Sequence, residues 1–183
     1  IHLTATTTAT PEQVIAAVTD FGPGRSKIFG NTDDSQLIVH DSGPDWADVT
    51  EGKGPVWERL RYDWSDPNRI RMTTTDSNIW GGASGHSYTF ERRPDGTTGI
   101  DVVVVREGKN FKGKVVSGAI GVVGKGVLSK ALKTTVQAIE ARNAAPPADS
   151  AMPGKRAFRS SASSCIIRWP IRLRPNCCCK SPG

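Results

Sequence analysis

Apolar positions change their spacing several times along this chain, and the changes divide it into elements. Residues 1–9, "IHLTATTTA", alternate and are rich in Thr, which predicts a strand. In "TPEQVIAAVTDF", Thr10 stands at the N-cap, Pro11 at the first helical position and Gln13 at the far corner of a capping box. A short helix is expected there, ending before "GPGRSKIFG", which reads as a broken second turn or a loop. Alternation then returns at about 35–41, 45–51, 55–64, 69–76, 84–93 and 97–107, with Gly, Pro, Asp and Asn in the turns between. Successive strands joined by such turns predict an antiparallel meander. From about 111 the period becomes helical. Ile120, Val123, Val127, Leu128, Ala131, Thr135 and Ile139 share one stripe, and Lys125, Lys130 and Lys133 lie largely off it. This predicts one long amphipathic helix, starting within 113–126 and ending near Arg142. Glycines at 118, 121, 124 and 126 weaken its first half, or else mark a kink or a close approach to something bound beneath.

After Ala145 no period is sustained, and composition takes over. The chain has 183 residues, and seven of its 24 basic and one of its 18 acidic residues fall in 146–183, leaving 17 of each before them. The net charge of +6 therefore belongs to this Pro-, Ser- and Arg-rich tail, and the body is neutral. A neutral body argues against a nucleic-acid groove. The tail is expected to be disordered, a terminal extension in its plainer reading, with binding of RNA, anionic lipid or a metal as the alternative. Cys165, Cys177, Cys178 and Cys179 all lie in it, with neither zinc-ligand nor disulfide-framework spacing. No stretch reaches transmembrane length and no signal peptide is visible, so a cytoplasmic location is expected. The chain opens at Ile1 without Met, which leaves a removed leader open.

Alternation also assigns faces. Glu58, Leu60, Tyr62 and Trp64 share the less charged face of their strand, against Trp57, Arg59, Arg61 and Asp63. Inward faces of the next three strands read Ile70, Met72, Thr74, Asp76; then His86, Tyr88, Phe90; then Ile100, Val102, Val104, Arg106. A lone Glu58 aimed into a dry core is costly, so these polar residues suggest an inside that is not dry. If the turns set Phe90 opposite both Met72 and Val102, then Asp76, His86 and Arg106 form a row, and Thr74 sits between Glu58 and Tyr88. That row reads as the polar patch of a concave pocket, with His86 tuned by a carboxylate as an acid–base group. The plainer reading makes Asp76, Arg106 and Glu58 paired edge charges and His86 a bystander. Trp80, in the glycine-rich "DSNIWGGASG", is expected on a flap over the cavity mouth, or else as an ordinary loop aromatic. No nucleophile elbow, histidine cluster or dinucleotide loop is present, so no metal and no cofactor are expected.

A strand, a capped short helix, six meander strands and a long helix make an α+β chain that resembles the START-related helix-grip superfamily (SRPBCC). In particular, it looks like the small bacterial polyketide cyclase/dehydrase and lipid-transport proteins. The resemblance lies in "TPEQVIAAVTDF", "VWERLRYDWSDPNRIRMTTTDSN", "SYTFERRPDGTTGIDVVVVRE" and "GKGVLSKALKTTVQAIEARN", and covers roughly 1–143. It implies a seven-stranded antiparallel sheet wrapped round the long helix, in a domain of 1–145, with a hydrophobic cavity between sheet and helix. The leading expectation is binding or transport of a lipid or polyketide-like molecule. Ligand would lie against Leu60, Met72, Val102 and Val104, among Glu58, Tyr62, Trp64, Thr74, Trp80 and Tyr88. An alternative is a polyketide cyclase or dehydratase in which His86, Asp76 and Arg106 are catalytic. Another is an interaction protein or toxin-like regulator with a vestigial cavity. Oligomeric state stays open.

Overall fold

The computed structural model describes residues 1–144, and of 119–123 the backbone alone. The expected tail, with its four cysteines, lies outside the described residues. Seven strands and two helices follow one another as β1 His2–Thr7, α1 Pro11–Val18, β2 Ile38–Ser42, β3 Trp46–Lys53, β4 Val56–Asp63, β5 Arg69–Ser77, β6 Trp80–Arg92, β7 Thr98–Gly108 and α2 Phe111–Ala144. Short 3-10 turns at Arg25–Lys27 and Asp34–Gln36 interrupt the link between α1 and β2. The strands form one antiparallel sheet in the order β1-β7-β6-β5-β4-β3-β2. All of β2 to β7 is therefore a meander, and β1 returns to pair with β7. Helix α2 packs on β7, β1 and α1, so the core lies between the sheet's concave face and the helix.

Local sequence accounts for the helix ends. Thr10 accepts a hydrogen bond from the Gln13 amide and Gln13 Oε1 accepts one from the Thr10 amide, the reciprocal capping box expected of this spacing. Helix α2 starts at Phe111, ahead of the predicted 113–126, because Asn110 caps it. Its Oδ1 accepts from the Gly113 amide at 2.8 Å. The buried stripe of α2 is also rotated from the predicted one: Leu132, Val136 and Ile139 are buried, whereas Val127 and Ala131 are exposed. Ile120 and Val123 are among the side chains not described. Gly118 and Gly126 face open space, so neither marks a close approach.

Two further expectations change. Strand β6 begins at Trp80, so in "DSNIWGGASG" the first two residues end β5 and "WGGASG" is the start of a strand instead of a flap. Its glycines make a bulge in the pairing with β7 between Gly81 and Gly85. At Gly82 the backbone has φ +56°, a left-handed conformation in which a side chain is strained, which favours glycine. Trp80, held by this pairing, is buried.

The register differs as well. Met72 pairs with His86 and Ile70 with Tyr88, while Phe90 pairs with Ile100. Both displacements from the turn-based register are by an even number of residues, so inward faces stay inward. Asp76 is the exception. Arg59 pairs with Asp76 and Leu60 with Thr74, leaving Thr75 as an extra residue that reverses the alternation. Ser77 therefore turns inward and Asp76 turns to solvent, where it pairs with Lys109 at 3.0 Å.

Candidate functional site

A buried cation sits at the inner end of the concave face. Gly24, at φ +93°, begins the 3-10 turn that carries Arg25, and the Asp34 carboxylate pins this turn by accepting from the Gly24 and Ser26 amides at 2.7 and 2.8 Å. Arg25 is 3% exposed. Its guanidinium donates to Glu51 at 2.8 Å, to the Tyr62 hydroxyl at 3.0 Å and to the Val18 and Asp20 carbonyls at 2.8 and 3.0 Å. Phe21 and Phe29 stack against it, each centroid 4.7 Å away. Tyr62 in turn donates to Glu51 at 2.8 Å. Burial, reinforced by the Glu51 charge, pushes the Tyr62 phenol well above its ordinary range, so it remains a neutral donor. A charge this deep is tolerated only because its donors are so fully matched.

Beyond this network lies a second ion pair. Arg106 on β7 and Glu58 on β4 meet in a two-pronged bridge, both bonds 2.8 Å, with each side chain about a tenth exposed. Thr74 donates to Glu58 at 3.2 Å, and the Trp80 ring lies 5.1 Å from the Arg106 guanidinium. Arg106 also reaches His86 Nε2 at 2.5 Å. Arginine only donates, so Nε2 accepts and the His86 proton sits on Nδ1. Burial first, and the Arg106 charge second, push His86 down to about 3. At neutral pH it is an uncharged imidazole of fixed tautomer.

Between these residues and α2 the structure leaves a cavity of about 250 Å³. Leu3, Val102, Val104, Leu128 and Leu132 give it apolar walls; His86, Tyr88, Arg106 and Thr135 add polar atoms; Phe29, Asn31, Val127 and Ala131 complete the lining. Asn31 and Val127 are exposed and place the mouth between the α1–β2 link and α2. A recess of about 60 Å³ continues inward past Phe29, His86 and Tyr88 to Leu60, Met72, Glu58, Tyr62, Glu51 and Arg25. Burial pushes the Tyr88 phenol up to about 12, and among the described residues its hydroxyl has no hydrogen-bond partner.

The residues expected from the sequence divide accordingly. His86, Tyr88, Val102, Val104 and Arg106 line the cavity, and Glu58, Leu60, Tyr62 and Met72 line the recess. Thr74 and Trp80 stand behind, steadying Glu58 and Arg106, and Trp64 packs against the core away from the cavity. Asp76 is not brought to His86 at all. Arg25, Glu51, Phe29 and Asn31 were not anticipated. Glu51 could have been, since it shares a face with Ala47 and Val49 just as Glu58 does with Leu60. Arg25 lies in an irregular segment where no periodicity points inward.

The depressed His86 has a consequence for stability. Unfolded, it takes a proton near pH 6.5; folded, it takes none until about 3. Across that interval the unfolded state binds more protons, so stability falls as pH falls, by up to about 1 kcal/mol per unit. The carboxylates held low elsewhere add to this loss only below about pH 5. Urea denaturation between pH 6.5 and 5 is expected to show this slope in the wild type and to lose it in His86→Asn.

Neither a protein-family model nor a curated protein matches the chain by sequence. Solved structures do match by shape. A protein from Thermus thermophilus superposes with a TM-score of 0.62 at 14% identity, over 78% of this chain and 97% of that one. The Zhui aromatase/cyclase from Streptomyces sp. R1128 gives 0.58 at 16%, over 79% and 95%. A START superfamily protein from Mycobacterium smegmatis gives 0.55 at 13%, over 78% and 94%.

Proposed function

We propose, for a chain with the START-like helix-grip fold, that the protein binds and carries a hydrophobic small molecule between its sheet and α2. The observation that carries this reading is the unfilled cavity of about 250 Å³, apolar along its walls and polar at its inner end. A concave apolar chamber with a few convergent polar groups is the usual form of a small-molecule site. The binding function belongs to residues 1–145. Among the described residues no helix is long and apolar enough to cross a membrane. An acid–base enzyme built on His86 and Asp76 is less well supported, because Asp76 faces solvent and His86 has an arginine beside it instead of a carboxylate.

Native mass spectrometry of the full chain, followed by extraction of any bound species, tests the proposal. A retained lipid or polyketide-like molecule near one per chain is the expected result. An empty protein that takes up none of a panel of fatty acids, sterols and aromatic polyketides would rule the binding reading out.

A further inference from the structure

The polar groups around the cavity balance one another in a way that bears on the ligand's own chemistry. Two cations border the chamber, and both are already matched: Arg25 by Glu51 at 2.8 Å and Arg106 by the two-pronged bridge to Glu58. His86 accepts from Arg106 through Nε2 and is an uncharged ring at neutral pH. Tyr62 is occupied by Arg25 and Glu51. Thr135 donates to the Ile28 carbonyl at 3.1 Å. What remains for a ligand is the Tyr88 hydroxyl and the His86 Nδ1–H, neither with a partner among the described residues, with the Asn31 amide at the mouth. All three are neutral.

From this arrangement we propose that the ligand's polar end is an uncharged oxygen function, a ketone or an alcohol, received by the Tyr88 hydroxyl, and that the site excludes carboxylates. The inference rests on the binding reading above. A carboxylate entering the chamber would lose its water and meet no cation without a partner, and its charge would lie close to those of Glu58 and Glu51. Burying a charge on such terms is strongly unfavourable. A carbonyl oxygen needs only one donor, and the Tyr88 phenol, already protonated at neutral pH and pushed up further by burial to about 12, supplies it. A fatty acid would therefore enter only in its protonated form.

Two matched series test this on the full chain by calorimetric titration at pH 7: heptyl methyl ketone, nonanol and nonanoate, and then methyl naphthyl ketone, naphthol and naphthoate. The ketone and alcohol of at least one series are expected to bind at least about tenfold more tightly than the carboxylate. Nonanoate should gain roughly tenfold on moving from pH 7 to pH 6, where more of it is protonated. Tyr88→Phe should weaken the ketone about fivefold, the equivalent of one neutral hydrogen bond. Glu58→Gln leaves the Arg106 charge without its carboxylate and should raise carboxylate affinity at least about tenfold. A carboxylate that binds the wild type as tightly as its ketone overturns the neutral-ligand inference and leaves the cavity reading standing. A folded Glu58→Gln variant with no gain overturns it too. If no member of either series binds, the inference falls together with the reading beneath it. Should Glu58→Gln fail to fold, the wild-type series decides alone.

Discussion

Replacing Arg25 with Met is expected to cost the domain about 3–5 kcal/mol, the usual result of leaving one member of a buried ion pair without its partner. The substitution keeps an unbranched apolar stem between Phe21 and Phe29 but strands the Glu51 carboxylate, itself 9% exposed. It also leaves the Val18 and Asp20 carbonyls without their donor. A domain of this size has only about 5–15 kcal/mol in all, so urea midpoints should fall sharply and part of the protein should express unfolded. Glu51→Gln added to Arg25→Met removes the stranded charge and should return a substantial part of the loss. A fall of less than about 1 kcal/mol in the single variant would mean that water or a rearranged side chain takes over from Arg25.

The second large effect concerns the ligand and leaves the fold alone. Ala131 lies on the exposed flank of α2 yet lines the cavity, so Ala131→Trp can drive an indole into the chamber without displacing core side chains. Overpacking an occupied site costs about 1–3 kcal/mol, which corresponds to roughly a 5- to 150-fold loss of affinity for whichever neutral probe binds the wild type. Helix propensity should cost the fold only a few tenths of a kcal/mol. Lys130→Trp, one position along and outside the lining, is the control and should bind as the wild type does. Equal affinities in the two variants would place the binding site somewhere other than this cavity.

Much of this architecture is determined by sequence alone, because its signals are local. Thr10, Pro11 and Gln13 specify the start of α1 through bonds that span three residues. Strict alternation specifies which side chains of β4, β5, β6 and β7 face the helix, and an even-numbered slip in register leaves that assignment unchanged. The inward positions of Glu58, Tyr62, His86, Tyr88 and Arg106 follow from the pattern for this reason. Tertiary structure decided which of these residues meet. The bulge at Thr75 turned Asp76 outward, and a bulge is a property of two paired strands that one strand's sequence does not display. The glycines of "WGGASG" read equally well as a loop until the pairing with β7 draws them into a strand. Arg25 arrives from an irregular segment, held there by Asp34 and received by Glu51 and Tyr62, partners up to 37 residues away. Alternation fixes direction over neighbouring residues, whereas the partner of a buried charge is fixed only when distant segments are brought together and every charge must find its match.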